Sequence, residues 1–307
     1  MAITIPLRRP ADLRRVGMVA DLFASALHRT IEVITIVDPQ DDLRLEFERF
    51  SRAVEDFAAV VGRDVKLRVV ADEAPLKGFL DMCLNRFVCM ATAASPFDDA
   101  HYVGSFAAAL LAKTSAPVVL VGPSVPDVSP PPIERVVLGV SNDVDSSVSL
   151  ELAHTVATGF GCPMAKVRID TEHGVIYESD SRDPREWFPE EVHATMRAEP
   201  IEQDDISAVL VERSAHSVLV FSTRAHQGLT WICEGSVAFG AISLTSMPIV
   251  AVGPNAVRGD VEQPQPSLGR EVTLASPHAE AAIEELDERL RVLKHADGAL
   301  FTAHGAG

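Results

Sequence analysis

With 307 residues the chain is long enough for two domains of ordinary size, and 47% of its residues are hydrophobic, which is sufficient to build buried cores. A formal net charge of −17 repels phosphate backbones and anionic lipid, which argues against nucleic acid or a membrane as a partner. No apolar run approaches the roughly 20 residues that span a bilayer, and residues 1–10 lack the order of a signal peptide, so we expect a cytoplasmic protein.

The first half of the chain alternates β-branched runs with amphipathic stretches, which predicts strands separated by helices. The predicted strands are residues 3–7, 31–37, 65–70, 87–91 and 117–121. The predicted helices are residues 12–28, 42–61, 75–83 and 104–113. Strands that alternate with helices pack as a parallel sheet with helices on both faces, so we predict an α/β fold.

Five prolines within residues 123–133 indicate a stiff linker, after which the alternation resumes. The strands predicted in the second half are residues 135–140, 165–169, 194–199, 217–221 and 248–252. The helices predicted there are residues 146–158, 205–214 and 235–244, whereas residues 171–190 have an irregular pattern. The second half therefore repeats the order of the first.

An internal repeat supports this division. Residues 104–123 read GSFAAALLAKTSAPVVLVGP and residues 235–254 read GSVAFGAISLTSMPIVAVGP, with ten of twenty positions identical at a constant offset of 131. The same offset puts residues 3–7 near residues 134–138. A fixed offset that preserves turn glycines and prolines indicates duplicated units. We predict two tandem open α/β sandwich domains, residues 1–123 and 134–254, each with a five-stranded mostly parallel sheet.

Residues 255–307 form an acidic tail in which we predict a C-terminal helix. Ser276 and Pro277 have the types of an N-cap and a first helical residue. One apolar stripe follows at helical spacing, formed by Ile283, Leu286, Leu290 and Leu293. We expect this stripe to dock on the protein's own body; the alternative is a contact between chains in a homo-oligomer.

Metal and catalytic signatures are missing from the sequence. The ten histidines include no H-E-x-x-H, and the four cysteines form no C-x-x-C pair and no cluster with zinc spacing. There is also no G-x-S-x-G elbow and no Walker A lysine. We therefore predict no metal and no enzymatic activity, with a slow ATP hydrolase as the less favoured alternative.

Each repeat follows a strand and a loop that end in Gly-Ser at a helix start, at Gly104 and Gly235. This pattern resembles the universal stress protein family, in which G-x-x-G-x9-G-[ST] follows the fourth strand and cradles the phosphates of ATP. Glycine-rich turns and helix N-termini present backbone N–H groups to anions. In the second half Gly235 and Ser236 match this signature, whereas Ser222 and Ala225 stand at its first two glycines.

The family's second anchor is an aspartate directly after the first strand, and both halves depart from it. Ser141 stands at this position in the second half, with Asp143 two residues later, whereas Arg8 stands there in the first half. Arg224 and His226 in the second-half loop add polar groups that can meet a phosphate. The resemblance therefore implies a nucleotide site in the second half, and a first half that has lost its ligand.

The resemblance implies an adenine nucleotide alpha hydrolase-like fold and a regulatory, stress-response function, with ATP or AMP as the ligand of the second domain. The alternative is a structural or interaction module in which both sites have decayed. The family also pairs domains through their last strands. We therefore expect an intramolecular pseudo-dimer in which Val119 lies near Val250, so that the two edge strands cover each other.

Overall fold

The computed structural model describes residues 2–72, 74–92, 105–127, 130–140, 147–170, 175–179, 197–200, 211–212, 215–222, 242, 244–256 and 271–274. Within these residues, twelve strands form one continuous sheet. The strands before the linker are β1 (Ala2–Pro6), β2 (Thr30–Val37), β3 (Val65–Ala71), β4 (Phe87–Ala91) and β5 (Val118–Val121). Those after it are β6 (Arg135–Val140), β7 (Met164–Asp170), β8 (Val175–Ser179), β9 (Arg197–Pro200), β10 (Ser217–Ser222), β11 (Ile249–Val252) and β12 (Glu271–Leu274).

The described helices are α1 (Leu13–Ala26), α2 (Leu43–Val61), α3 (Pro75–Cys83), α4 (Ser105–Lys113) and α5 (Ser147–Phe160). Helix α2 shows how the sequence sets their ends. The Asp42 side chain accepts hydrogen bonds from the backbone N–H groups of Arg44 and Leu45, and Gly62 ends the helix with a φ of 67°. Helices α1, α2 and α5 contribute to one core, whereas α3 and α4 contribute to the core on the opposite face.

The α/β fold with a mostly parallel sheet is confirmed. The sheet order is β12-β3-β2-β1-β4-β5-β11-β10-β6-β7-β8-β9. Strands β1 to β5 pair in parallel with one another, and β11, β10, β6 and β7 do the same. Strand β5 pairs antiparallel with β11, and this pair joins the two predicted sheets into one.

Three antiparallel strands correct the sequence prediction. Residues 171–190, interpreted as irregular, contain β8, and the predicted strand at 194–199 is observed as β9, which pairs antiparallel with β8. Only four residues separate β7 from β8, too few for the crossover that a parallel strand needs, so the two form an antiparallel pair. Strand β12, which lies in the tail, pairs antiparallel with β3.

Three predicted helices fall largely outside the described residues. Of the predicted helices at 205–214 and 235–244, the structure describes Val211, Glu212, Ile242 and Leu244, all of them helical. The predicted C-terminal helix after Ser276 lies outside the described residues altogether.

The β5–β11 pair, called the seam below, is built from contacts that come in matched pairs. Val119 lies opposite Val250, as the sequence predicted, and Val118 and Leu120 lie opposite Ala251 and Ile249. A β-carbon at Gly122 would overlap the carbonyl oxygen of Ile242, and one at Gly253 would overlap that of Leu111. Equivalent residues of the two halves are 131 apart, as are Val118 and Ile249, Leu120 and Ala251, Leu111 and Ile242, and Gly122 and Gly253, so every contact recurs with the halves exchanged. Such reciprocity is the property of a two-fold interface.

The number of residues between equivalent positions of the two halves changes towards the start of each half. Ile3 pairs with Ile31, and Val136 pairs with Met164, which is an offset of 133 instead of 131. The same offset relates the ends of α1 and α5, where Arg29 N–H donates to Ala24 and Cys162 N–H donates to Ala157. The equivalent of residues 3–7 is therefore 136–140, two residues beyond the range given by the constant offset. The second half is two residues shorter between these positions and β10.

Candidate functional site

The sequence-predicted site begins at the carboxyl ends of β6 and β10. These strands are parallel neighbours, and Phe221 lies opposite Gly139 near their ends. The chain leaves β6 towards β7 on one side and leaves β10 towards β11 on the other. In open α/β sheets, ligands bind in the crevice outside the strand ends where the chain diverges in this way. The topology therefore makes this edge of the second half a candidate binding site.

Ser222 is the one residue among the predicted site residues that the structure describes. The other predicted site residues, Ser141, Asp143, Arg224, Ala225, His226, Gly235 and Ser236, lie outside the described residues. Positions 141 and 223 directly follow the ends of the neighbouring strands β6 and β10. The two loops that carry the predicted residues therefore start from the same edge of the sheet.

The Ser222 hydroxyl is tied to helix α5. Its Oγ donates a hydrogen bond of 3.0 Å to the Oγ of Ser149, which is fully buried in the first turn of α5. A buried hydroxyl needs a partner because its desolvation is otherwise uncompensated. The bond therefore fixes the end of β10 against the start of α5, and it places two hydroxyls at the divergence point.

The equivalent positions of the first half are apolar. Ala91 is the equivalent of Ser222, because it lies opposite Val121 as Ser222 lies opposite Val252. Val16 of α1 is the equivalent of Ser149, because the two are 133 residues apart. Val16 is buried and Ala91 is half-buried against the same apolar core. The two halves thus share a framework, but only the second carries the hydroxyl pair at this position.

Two further contacts are observed beside the first-half crevice. Arg9 donates two hydrogen bonds to Asp12, from Nε to Oδ2 at 2.9 Å and from Nη2 to Oδ1 at 3.2 Å. This pairing raises the pKa of Arg9. Asp12 is the first carboxylate after β1, so it is already engaged by a cation of its own chain. Thr92, directly after β4, is buried, and both its N–H and its hydroxyl donate to the Val121 carbonyl. These contacts hold the loop's first residue against β5.

A buried lysine lies on β7, two strands from Ser222. Lys166 is 5% exposed and lies opposite Leu138 of β6 and Ser179 of β8. Side chains alternate along a strand, so Lys166 shares the face of Met164, which packs in the core that includes α5. Burial lowers the pKa of Lys166 to about 8, because it penalises the charged amine. The available signal was a lysine between apolar residues of the strand predicted at residues 165–169.

Sequence reasoning also missed Ser149. The signal was present, since Ser149 falls on the apolar face of the predicted helix at 146–158 with Ala153, Val156 and Ala157. A serine on such a face is either buried with a partner or exposed by a local distortion. Its partner, Ser222, lies 73 residues away and is brought there by the packing of α5 on the sheet.

The described residues contain no group of three or more histidine, cysteine, aspartate or glutamate side chains positioned to hold a metal ion. Nor does any helix within them have the length and apolar character needed to cross a membrane.

No family profile matches the sequence, and no curated protein matches it. Among solved structures, a universal stress protein from Archaeoglobus fulgidus DSM 4304 superposes with a TM-score of 0.54 at 14% identity, over 82% of this chain and 96% of that chain. The chain has the universal stress protein fold. Another universal stress protein from Archaeoglobus fulgidus matches 39% of this chain and 97% of its own, with a TM-score of 0.34 and 19% identity. A functionally unknown protein from Pseudomonas aeruginosa PAO1 matches 83% of this chain and 92% of its own, with a TM-score of 0.48 and 11% identity.

Proposed function

We propose that this chain is a tandem universal stress protein, with a regulatory role in the cytoplasm, that binds one adenine nucleotide, ATP or AMP, in its second half. The observation that carries the proposal is the hydrogen bond between Ser149 and Ser222 at the divergence of β6 and β10. It supports a polar crevice in the second half, where the first half has Val16 and Ala91.

The tandem arrangement is supported by matched local geometry as well as by the sequence repeat. Thr114 and Thr245 are both buried, and each hydroxyl accepts a hydrogen bond from the backbone N–H two residues later. Asn85 and His216 precede β4 and β10 with φ values of 62° and 57°. Non-glycine residues rarely adopt such a conformation, so its recurrence at an offset of 131 favours duplication of one domain.

The ligand assignment rests on chemistry that the second-half loop supplies. The Gly235-Ser236 pair has the residue types of a helix start that binds phosphate, and Arg224 adds a cation in an otherwise acidic chain. In the first-half loop, Asp98 and Asp99 would instead repel phosphate. We therefore expect the site to be asymmetric between the halves, with one ligand per chain.

Calorimetry on purified, nucleotide-free protein tests the proposal, with Ser236→Ala and its first-half equivalent Ser105→Ala as matched variants. A hydrogen bond to a charged group contributes about 1.5–3 kcal/mol, so Ser236→Ala is expected to weaken ATP or AMP binding about tenfold to a hundredfold. Ser105→Ala is expected to leave the affinity unchanged. If neither nucleotide gives heat at millimolar concentration, the alternative holds: a structural or interaction module without a nucleotide.

The proposed role is binding and not catalysis. If the chain were instead a slow ATP hydrolase, purified protein would release phosphate from ATP above background. That release would be lost in both Ser236→Ala and Asp143→Ala, because in such an enzyme the Ser236 hydroxyl would contact a phosphate and the Asp143 carboxylate would position the attacking water. We expect no release that depends on these two residues.

A further inference from the structure

Helix α5 is held by the second half near its start and by the first half at its end. Near its start, the hydroxyl of Ser149 accepts the hydrogen bond from Ser222 at the carboxyl end of β10. At its other end, a β-carbon at Gly159 would lie only 2.6 Å from the carbonyl oxygen of Ala26, the last residue of α1. Helix α5 therefore connects the candidate crevice of the second half with the first half.

The contact between the ends of α1 and α5 is close-packed. Ala26 and Gly159 are equivalent positions, 133 residues apart, so the two halves meet here at matched points. Glycine is less favourable than alanine within a helix, but at residue 159 it allows the backbone of α1 to come near. Beside it, the Phe160 ring stands edge-on to the Phe23 ring of α1, with 5.3 Å between the ring centroids. A shift of either helix end is therefore passed to the other.

Between its two anchored ends α5 is an uninterrupted helix. Ser149 and Gly159 are ten residues apart, which is about 15 Å along the helix axis. A hydrogen-bonded helix of this length moves as a unit, and a close-packed interior transmits strain because it is hardly compressible. A displacement of α5 at Gly159 therefore reaches the hydroxyl pair formed by Ser149 and Ser222.

We propose that α5 couples the second-half crevice to the end of α1, so that ligand occupancy and the α1–α5 contact influence each other. This coupling rests on the proposed function for its ligand, ATP or AMP, but it is measurable without a nucleotide. Coupling between sites is reciprocal: the factor by which the contact changes nucleotide affinity is the factor by which nucleotide changes the contact. The first half, which lacks the hydroxyl pair, thereby regulates the site of the second.

Two amides at the end of α1 report on the contact in the full chain without nucleotide. The N–H groups of Leu27 and Arg29 each donate a hydrogen bond of 2.9 Å to a carbonyl of α1. The N–H group of Gly62 donates a bond of the same length at the end of α2 and is the control. Ser222→Ala removes the bond near the start of α5, and we expect it to speed hydrogen exchange at Leu27 and Arg29 about fivefold relative to Gly62.

Two substitutions at the far end of α5 test the effect on the ligand. Gly159→Ala forces α5 away from the Ala26 carbonyl. Phe160→Leu removes the ring contact without overlap, and it introduces the residue type of its first-half equivalent, Leu27. Each is expected to weaken ATP or AMP binding about fivefold or more in calorimetry. In the parent protein, either nucleotide is expected to slow hydrogen exchange at the two α1 amides and to leave that of Gly62 unchanged.

Gly78→Ala is the matched control for a general loss of stability. Its β-carbon would lie 2.8 Å from an Asp72 carboxylate oxygen, an overlap similar to that at Gly159. Helix α3, which carries Gly78, packs on the face of the sheet opposite to α1 and α5. We therefore expect Gly78→Ala to leave the nucleotide affinity unchanged.

Two results would overturn the coupling. The first is hydrogen exchange at the α1 amides that is no faster than at Gly62 after Ser222→Ala, which would mean that the two ends of α5 act independently. The second is a nucleotide that binds with the same affinity to the parent, Gly159→Ala and Phe160→Leu, in which case the proposed function stands without this regulation. A chain that binds no nucleotide would refute the proposed function instead, and the exchange measurement would still decide whether α5 couples the halves.

Discussion

Gly122 and Gly253 lie so close to backbone oxygens across the seam that replacing either with alanine should lower the free energy of unfolding. A methyl group at Gly253 would occupy the position of the Leu111 carbonyl oxygen, and a methyl group at Gly122 would occupy that of Ile242. A backbone oxygen in a packed core cannot rotate away as a flexible side chain can. Each Gly→Ala change is therefore expected to cost about 3 kcal/mol, at the upper end of the range for overpacking. That is a large fraction of the roughly 5–15 kcal/mol that holds an ordinary domain folded.

Denaturant unfolding followed by circular dichroism measures this cost. Gly139→Ala is the matched control, because its β-carbon would meet its nearest neighbour, Phe221, at an ordinary contact distance of 3.4 Å. We expect Gly122→Ala and Gly253→Ala to lose similar amounts and Gly139→Ala to remain within about 0.5 kcal/mol of the parent protein. The double seam variant is expected to lose less than the sum, since both sites widen the same interface. If both single seam variants unfolded at the same denaturant concentration as the control, the seam geometry would be wrong.

Three further predictions concern the second-half crevice and the helix ends. Ser149→Ala is expected to lower the free energy of unfolding by about 1–2 kcal/mol, because it removes the acceptor of the Ser222 hydroxyl. Adding Ser222→Ala is expected to cost little more, because it removes that hydroxyl as well. Urea titration of the single and double variants measures both changes. The pKa of Lys166 falls from 10.5 in the unfolded chain to about 8 when folded, so the unfolded chain binds more protons between these values. The stability of the parent protein relative to Lys166→Met should therefore rise as the pH is raised from 8 to 10.5, and urea midpoints of the two proteins at both ends of that range check the sign. Asp42→Ala removes the N-cap of α2 and is expected to lower the free energy of unfolding by about 1 kcal/mol in the same assay. Asp41→Ala is the control, because it removes a neighbouring carboxylate that is not the N-cap.

The fold was largely predictable because its elements carry local signals. Strands β4 and β6 and helix α3 have the bounds that the sequence predicted, since short apolar runs and a Pro at the helix start mark them directly. The pairing of β5 with β11 was also predicted, because the repeat located the last strand of each half and the resemblance to universal stress proteins implied that these two strands pair. In these cases, neighbouring residues determined the structure or the resemblance supplied the long-range information.

The rest depended on contacts between distant residues. The pairing of β12 with β3 joins four tail residues to a strand about 200 residues earlier, and nothing in Glu271 to Leu274 indicates which strand they meet. The bond from Ser149 to Ser222 requires the packing of α5 on the sheet, which periodicity alone does not give. Strand β8 was missed because residues 171–190, which include Pro184 and Pro189, were interpreted as irregular.

The most direct test of the functional account is the number of nucleotides bound to each chain, measured by native mass spectrometry with ATP and with AMP on nucleotide-free protein. The account predicts one nucleotide per chain, retained in Ser105→Ala and strongly reduced in Ser236→Ala. Two nucleotides per chain would contradict the asymmetry inferred from Ser149 and Ser222 against Val16 and Ala91. No bound nucleotide at millimolar concentration would contradict the binding role itself.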